Sequence, residues 1–155
     1  MPVMHIKDPK SRQLDHIMEE KAIEFHGHGG PFMVIGLRMG TLALRLLDAH
    51  GWFDVHTLAR LNWAPPDSCV IDGLMTSTGC TMGKRNIEVH EVDGIAADFA
   101  GYDKIIRVTF RDSMLQMVRT ILATQDDSKV RALMDELELS SDEQLFEVKI
   151  LTENP

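Results

Sequence analysis

The feature that most constrains this chain is an apolar run over residues 32–47 that follows a glycine-rich loop. Pro31 suits the first position of a helix, where its missing N–H costs no hydrogen bond, and Gly51 lies just beyond the far end. Because the run is apolar on nearly all sides, the sequence predicts a helix from residue 31 to about residue 50 at the centre of the fold. Gly36 and Gly40, four residues apart, thin one side of this helix and predict close packing of another backbone.

The rest of the chain supplies elements that can cover such a helix. An amphipathic helix capped by Ser11 is predicted before it, and others over 69–78, 112–122 and 127–137. Alternating apolar residues predict strands over 53–61, 105–110 and 146–150, and Asp93-Gly94 predicts a two-residue β-hairpin over 86–99. This order of elements is typical of an α+β fold, with an antiparallel sheet packed with helices. The chain has 155 residues and no linker, so residues 1–155 are expected to form a single domain.

Charge and composition exclude several classes of partner. A formal net charge of -8 argues against nucleic acid or an anionic membrane as the main partner. The long apolar run contains Arg38 and Arg45 and is too short to cross a bilayer, and the first thirty residues lack a signal pattern. We therefore expect a cytoplasmic protein. Its two cysteines, Cys69 and Cys80, are too few for a disulfide scaffold and are expected to be free thiols or metal ligands.

The loop before the central helix carries two histidines, His26 and His28, among three glycines. Two imidazoles two residues apart provide nitrogen ligands or proton carriers beside backbone that a small ligand can approach closely. The N-terminus of the following helix would also favour an anion. A glycine-rich connector with two surface histidines explains the same residues, and the loop alone does not separate these interpretations.

A second polar stretch, residues 78–86, combines Cys80 with two glycines, two hydroxyls and Lys84. It fails the pattern of a nucleotide-binding P-loop, because Arg85 stands where a hydroxyl is required and a strand follows. A thiol in a tight loop near a cation is favoured as thiolate, and Cys69 at a helix N-terminus is favoured in the same way. The alternative for each cysteine is a small buried apolar side chain.

Together the two stretches resemble the family of the E subunit of formylmethanofuran dehydrogenase. That family couples a His-Gly-His-x-Cys-Pro-Gly loop to a later cysteine and then to Thr-Gly-Cys-Thr-x-Gly-Lys. The matching residues here are His26-Gly27-His28-Gly29-Gly30-Pro31, Cys69-x-x-Asp72 and Thr78-Gly79-Cys80-Thr81-Met82-Gly83-Lys84. Gly30 replaces the cysteine of the family loop and Phe32 replaces its last glycine. Some members carry a zinc-finger module, and with no cysteine after Cys80 this sequence is not expected to have one.

The resemblance implies an α+β core, a homodimer and a metal or active site built from the histidine loop and the cysteines. Zinc or nickel would suit imidazole and thiolate donors. The predicted metal ligands are His26, His28, Cys80 and, as the weaker member, Cys69. The predicted groups for a small anionic ligand or an outer shell around the metal are Lys84, Arg38, Asp72 and Thr81. With glycine at position 30, the metal is expected to bind weakly and mainly through nitrogen, and less at acid pH, because a protonated imidazole cannot ligate.

Three hypotheses about function follow. The first is a small metal-binding protein or metal-dependent enzyme related to the E subunit, without the molybdenum or tungsten chemistry that belongs to other subunits. The second is an accessory protein that binds a metal, a molybdate-like oxyanion or a cofactor precursor and does no chemistry. The third is a family member that keeps only the fold. An open coordination position would favour an enzyme, whereas a closed shell of four ligands would favour structure or storage.

Overall fold

A computed structural model describes residues 14–153. The helices in this part are α1 (His16–His26), α2 (Pro31–Leu47), α3 (Val70–Thr78), α4 (Asp112–Ala123), α5 (Asp127–Leu139) and α6 (Asp142–Leu145). The strands are β1 (His56–Leu61), β2 (Ile87–Glu91), β3 (Ala96–Ala100), β4 (Lys104–Phe110) and β5 (Phe146–Glu153), and a 3-10 turn (Asp67–Cys69) precedes α3. The fold is α+β, as the sequence predicted.

The central helix α2 is buried along almost its whole length. All its residues from Pro31 to Leu44 are buried, and α1, α3, α5 and β4 pack around it. The closest packing is with α3, where a Cβ atom at Gly36 would lie 2.1 Å from the carbonyl oxygen of Val70. At Gly40 a Cβ atom would lie 1.8 Å from Oγ of Ser77, so both glycines have the packing role predicted for them. Elements of the same chain therefore cover α2.

The five strands form one sheet in the order β2-β1-β3-β4-β5. β1 pairs parallel to β2, and the other neighbours are antiparallel. One face of the sheet is buried against the helices, and its residues alternate along each strand as the period of two requires. These residues include Thr57, Ala59, Leu61, Ile87, Ala97, Phe99, Ile106, Val108 and Phe110.

The predicted hairpin between β2 and β3 is wrong. Gly94 has φ 81, but Asp93 does not have the positive φ that a type I′ turn requires at both central residues. The turn instead carries the chain over the end of β1, where the N–H of Val92 donates to the carbonyl oxygen of Leu61 at 3.1 Å. β1 therefore lies between the two strands that the Asp-Gly signal was expected to join.

The starts of α1 and β1 differ from the prediction, and at each an aspartate side chain accepts hydrogen bonds from backbone N–H groups. The N-cap of α1 is Asp15, whose carboxylate accepts from the N–H of Met18 at 2.7 Å; the predicted cap, Ser11, lies outside the described residues. β1 starts at His56 rather than at Phe53, because Asp54 accepts from two preceding N–H groups and closes a turn there. None of the helices over residues 14–153 has the length and apolar character to cross a membrane.

Candidate functional site at the junction of α1 and α2

The histidine loop joins α1 to α2 and is shaped by its glycines. α1 ends at His26, and Gly27 follows with φ 101, a left-handed conformation that favours glycine. Gly30 is the extended N-cap of α2, and Pro31 occupies the first helical position as predicted. Both imidazoles are therefore held at the N-terminus of the buried helix.

His26 is held by Asp72 in the first turn of α3. Nδ1 of His26 lies 2.5 Å from Oδ2 of Asp72, and the His26 side chain is 9% exposed. A carboxylate at this distance accepts the Nδ1 proton, so a neutral His26 presents Nε2 as its free nitrogen. The same arrangement orients imidazole ligands in metal sites, where the carboxylate also raises their basicity.

His28 is held in the same tautomer by its own loop. Its Nδ1 donates to the carbonyl oxygen of Gly29 at 3.1 Å, and because a carbonyl can only accept, the neutral ring again leaves Nε2 free. The ring centroids of His26 and His28 are 4.7 Å apart, with 46° between the ring planes. The loop therefore brings together two imidazoles that are both oriented through Nδ1.

Both imidazoles line one pocket with a volume of about 280 Å³. Cys69 is the further polar lining residue, and Gly30 forms part of the wall. The remaining walls are apolar and come from the start of α2, the segment before the 3-10 turn, and α4; they consist of Pro31, Phe32, Met33, Pro65, Pro66 and Leu122. A pocket of this size suits a small ligand. The last three of these residues were not predicted, since two prolines indicate a strand end and Leu122 indicates only a helix face.

A charged pair fixes the wall that carries Cys69. Both Nη atoms of Arg119 on α4 donate to the Asp67 carboxylate, at 3.0 and 2.9 Å. Asp67 is buried at the start of the 3-10 turn, and the two-pronged geometry of an arginine and a carboxylate restricts the orientation of both groups. The pair joins α4 to the turn, and so holds Leu122 and Cys69 on the same pocket.

Cys69 does not have the thiolate character expected at a helix N-terminus. Burial raises the pKa of the Cys69 thiol above its usual value, and the negative charge of Asp72 raises this pKa further. The prediction of a favoured thiolate is therefore corrected for Cys69. The position of Cys69 agrees better with the prediction than its pKa does, because Cys69 lines the same pocket as both histidines.

Cys80 does not line this pocket. It follows the C-terminal end of α3, is fully buried, and its sulfur contacts Oγ1 of Thr57 at 3.3 Å and the carbonyl oxygen of Val55 at 3.5 Å. Cys69 precedes α3, so the two thiols lie at opposite ends of a helix of nine residues, about 13 Å long at 1.5 Å per residue. The sequence predicted that Cys80 and the histidines converge on one pocket, but the structure places Cys80 away from that pocket.

Thr81 and Lys84 form a separate turn beyond Cys80. Oγ1 of Thr81 accepts from the backbone N–H of Lys84 at 3.2 Å and from its Nζ at 3.0 Å. The ammonium also lies 5.7 Å from the ring centroid of Phe53. The amide oxygen of Asn86 accepts from the N–H of Thr81, and β2 begins at the next residue, Ile87. The turn is closed by its own side chains and leads into a strand, in agreement with the rejection of a P-loop.

Arg38, predicted to neutralise a bound anion, has a different role. Its side chain is buried, 8% exposed, and faces the end of α5 rather than the histidine loop. Nη1 donates to the carbonyl oxygens of Leu137 and Glu138, and Nη2 donates to that of Ser140 and to the Asp142 carboxylate, at distances of 2.7 to 3.1 Å. Arg38 thus satisfies the carbonyl groups that the C-terminus of α5 leaves free.

These placements divide the predicted site into three parts. His26, His28, Asp72 and Cys69 lie at one pocket, Cys80, Thr81 and Lys84 lie beyond the other end of α3, and Arg38 faces α5. Over residues 14–153, no group of three or more His, Cys, Asp or Glu side chains is arranged to hold a metal ion. The pocket offers two oriented imidazoles and the thiol of Cys69, whose pKa is raised by burial.

Comparisons with known proteins agree with this fold. The crystal structure of an FmdE-like protein from Syntrophus aciditrophicus, similar to the E subunit of tungsten formylmethanofuran dehydrogenase, aligns with a TM-score of 0.61 at 20% identity. The alignment covers 88% of this chain and 71% of that chain. At this identity the likeness concerns the fold alone.

A sequence relative covers a shorter stretch. A probable S-adenosyl-L-methionine-binding protein from Archaeoglobus fulgidus is 35% identical over 71 residues, which are 43% of this chain and 19% of that protein. The match thus spans about a fifth of the length of this curated relative.

The model of one family matches most of the chain. It is described as FmdE, molybdenum formylmethanofuran dehydrogenase operon, and it covers residues 25–152, from the last turn of α1 to the penultimate residue of β5. The chain therefore belongs to the FmdE family.

Proposed function

We propose that this chain is a small metal-binding protein of the FmdE family that holds a divalent transition metal, zinc or nickel, at the pocket between α1 and α2. The ligands in this proposal are Nε2 of His26 and Nε2 of His28. The supporting observation is that both Nδ1 atoms already donate to oxygen acceptors, Asp72 and the Gly29 carbonyl, so both neutral rings have Nε2 available for a metal.

The donor set fits a weakly held metal better than a structural one. Two imidazoles suit zinc and nickel, but a structural zinc site needs four protein ligands and a catalytic one usually has three. Cys69 could add a third donor only as thiolate, and its raised pKa disfavours that form. We therefore infer a nitrogen-weighted site in which water or a substrate completes the coordination.

Such a site supports either reversible metal transfer or metal-assisted chemistry. A bound metal would act as a Lewis acid toward a small molecule in the pocket. The chain's own contribution is to orient both rings through Asp72 and Gly29 and to limit access of water with the apolar walls. Arg38 and Lys84 are engaged elsewhere, so we propose no anion site built on these two cations.

Elemental analysis of the purified protein, followed by calorimetric titration with zinc and nickel, tests the proposal. We expect one metal per chain, and the separate substitutions His26→Ala and His28→Ala should each weaken binding by at least about tenfold, as expected for loss of a ligand. His90→Ala is the matched control, since His90 is an exposed histidine on β2 away from the pocket. Unchanged metal affinity in both pocket variants would overturn the proposal.

A second candidate is a binding protein for an organic cofactor or its precursor. The observation that favours it is the mainly apolar wall around the imidazoles, together with the relative named as a probable S-adenosyl-L-methionine-binding protein. Titration of metal-free protein with S-adenosyl-L-methionine would test it, with Leu122→Trp as the variant expected to fill the pocket. Binding that survives Leu122→Trp, or no binding to wild type, would contradict this candidate.

A further inference from the structure

The outer face of the sheet, opposite its buried face, carries a row of cations. Asp98 on β3 lies directly beside Arg107 on β4, and Arg107 lies directly beside Lys149 on β5. Arg60 on β1 comes within 4.0 Å of Asp98 from the other side. Neighbouring strands are about 4.8 Å apart, so these side chains cross four strands over roughly 14 Å. We refer to Arg60, Arg107 and Lys149 as the cation row.

The cation row holds more positive charge than the carboxylate within it can balance. Arg107 donates to Asp98 through Nε at 2.6 Å and through Nη2 at 3.0 Å, and over residues 14–153 its Nη1 has no acceptor. Arg60 reaches Asp98 only at 4.0 Å and forms no other ion pair within the described residues. Three cations therefore share one carboxylate. In a chain with a formal net charge of -8, this local surplus attracts acidic groups.

The position of Lys149 costs the free protein stability. Lys149 is exposed, lies directly opposite Arg107, and forms no ion pair within the described part of the chain. Like charges directly opposite each other destabilise a pair of strands. A bound anion would offset this repulsion. Such a local conflict is expected where a surface serves binding rather than stability.

The other acidic side chains of this face have cationic neighbours of their own. Glu88 on β2 contacts Nε2 of His56 at 2.6 Å, and Glu147 on β5 contacts Nη1 of Arg111 at 3.2 Å. Over residues 14–153 neither glutamate forms an ion pair with the cation row. These carboxylates therefore leave its surplus charge unbalanced.

We propose that the cation row binds an acidic segment of a partner protein, whose carboxylates lie against Arg60, Arg107 and Lys149. A guanidinium binds a carboxylate through two parallel hydrogen bonds, and a lysine adds a compact positive charge. An extended segment of about five residues spans the row.

The shape of the face suits such a segment. The central strand β3 presents the small side chains of Ala96 and Ala100 on either side of Asp98. Leu58 on β1 lies opposite Asp98, and Ile105 on β4 lies opposite Ala100; both are partly exposed. The face therefore has a low apolar floor beside the cations. A polypeptide that carries apolar as well as acidic side chains can cover both.

A nucleic acid fits this face less well. The outward positions of β1 to β5 hold no phenylalanine, tyrosine or tryptophan on which bases would stack. A long polyanion would also extend beyond the cation row onto the surface of a chain whose net charge is negative. A short acidic segment meets only the row and its apolar floor.

Titration of the full chain with octaglutamate tests the proposal at low ionic strength, where surface charges are least screened. Amide chemical shifts of the ¹⁵N-labelled protein should change along the cation row and at its neighbours on β1, β3, β4 and β5. Fluorescence anisotropy with a labelled peptide gives the dissociation constant. Octaglutamine, which has the same length without the charge, should not bind. An oligothymidylate of the same length should bind more weakly than octaglutamate.

The variant Lys149→Glu separates binding from stability, because its two expected effects have opposite signs. It places a carboxylate opposite Arg107, so the melting temperature should rise by about 1–3 °C. Its affinity for octaglutamate should fall by about threefold to tenfold, as expected for reversing one exposed charge of the site. Arg60→Gln should also weaken binding by about threefold. Lys129→Glu makes the same change in charge on α5, outside the sheet, and should leave the affinity unchanged.

Several outcomes would overturn the proposal. One is the absence of octaglutamate binding at low ionic strength, and another is a set of shift changes that lies away from the cation row. Equal losses of affinity in Lys149→Glu and Lys129→Glu would have the same meaning. Tighter binding of the oligothymidylate would identify a nucleic acid as the ligand instead. The same shift changes on concentrating the protein without peptide would assign the face to a second copy of this chain.

Discussion

The imidazole of His26 and the carboxylate of Asp72 meet at 2.5 Å, although the two residues are 46 positions apart in the sequence. His26 ends α1 and Asp72 lies in the first turn of α3, so the contact depends on the packing of these helices against each other. It leaves Nε2 of a neutral His26 free, and this is the nitrogen that binds the metal in the proposed site.

Removing this carboxylate should weaken metal binding without removing a ligand. In Asp72→Asn the amide can no longer supply a negative charge to the His26 ring, and loss of such an outer-shell partner typically costs about 10- to 100-fold in metal affinity. Zinc titration by competition with a chromophoric chelator measures the change. Glu88→Gln is the matched control, because Glu88 lies 2.6 Å from His56, a histidine–carboxylate pair that does not line the pocket. Equal effects of the two variants would contradict the assigned role of Asp72.

Restoring the cysteine of the family loop should tighten metal binding. A Cβ atom at Gly30 would lie 3.2 Å from Cε1 of His28, and the extended backbone with φ -147 accepts a side chain without strain. Gly30→Cys would therefore add a thiol beside the two imidazoles, and we expect zinc affinity to rise by at least about tenfold because thiolate is a strong zinc ligand. Gly30→Ser, similar in size without a thiol, should show no such gain. A Gly30→Cys protein no tighter than Gly30→Ser would argue against a metal at this loop.

The two cysteines should differ in reactivity toward alkylating reagents. Since the pKa of Cys69 is raised, its thiolate fraction near neutral pH is smaller than that of an ordinary thiol, and iodoacetamide should modify it slowly, with a rate that grows in alkaline solution. Asp72→Asn should speed this reaction, because it removes the negative charge that raises the pKa of Cys69 beyond the effect of burial. Cys80 is fully buried and should react only after unfolding. Peptide mass spectrometry over time measures both sites, and fast labelling of Cys80 in folded protein would contradict its placement.

Glu138 should make the fold less stable as pH rises toward 7. Burial, a hydrogen bond with Glu19 and the charges of Glu19 and Asp135 raise the pKa of Glu138 from its ordinary value of 4.5 to about 7. The folded state therefore keeps a proton that the unfolded state loses between these values, so stability falls across this window and stays lower above it.

The variant Glu138→Gln cannot ionise and should remove this penalty. We expect no change in melting temperature near pH 4.5. At pH 8 we expect a gain of about 1 kcal/mol, reduced from the full shift because Glu138 is partly exposed, or roughly 2–4 °C for a chain of this size. Glu136→Gln, an exposed position of the same helix, is the control. A gain that is equal at both pH values would show that ionisation of Glu138 is not its source.

Close packing of α2 on α3 should not tolerate a methyl group. Gly36→Ala places Cβ 2.1 Å from the Val70 carbonyl oxygen, a backbone atom that can move only if α3 moves. We expect a loss of about 2–3 kcal/mol of unfolding free energy, measured by urea denaturation. Gly29→Ala is the matched control, since its Cβ would make only ordinary contacts at 3.6 Å. Similar stabilities of the two variants would contradict the close approach of α2 and α3.

The sequence by itself determined the elements whose cause is local or periodic. The apolar run and Pro31 predicted α2 and its burial. Gly27 and Gly79 end α1 and α3 in the left-handed conformation that favours glycine. The alternation of apolar residues located β4 and the start of β5. The spacing of Gly36 and Gly40 predicted a close backbone contact, which α3 makes. In each case the relevant interaction lies within a few residues or repeats with the period of the element.

Tertiary structure alone decided which of these elements became neighbours. The Asp-Gly turn predicted a hairpin of β2 and β3. Instead, β1 lies between these strands and pairs with both, because its inward residues, such as Ala59, complete the buried face of the sheet. The helix predicted over residues 69–78 already separates Cys69 from Cys80 along the chain, but only the packing decided that Cys69, and not Cys80, lines the pocket of the histidines. Arg38 donates hydrogen bonds to free carbonyl groups at the end of α5, which lie about a hundred residues away in the sequence. The physical reason is common to all three: short-range patterns specify local conformation, whereas side-chain partners depend on packing between residues distant in the chain.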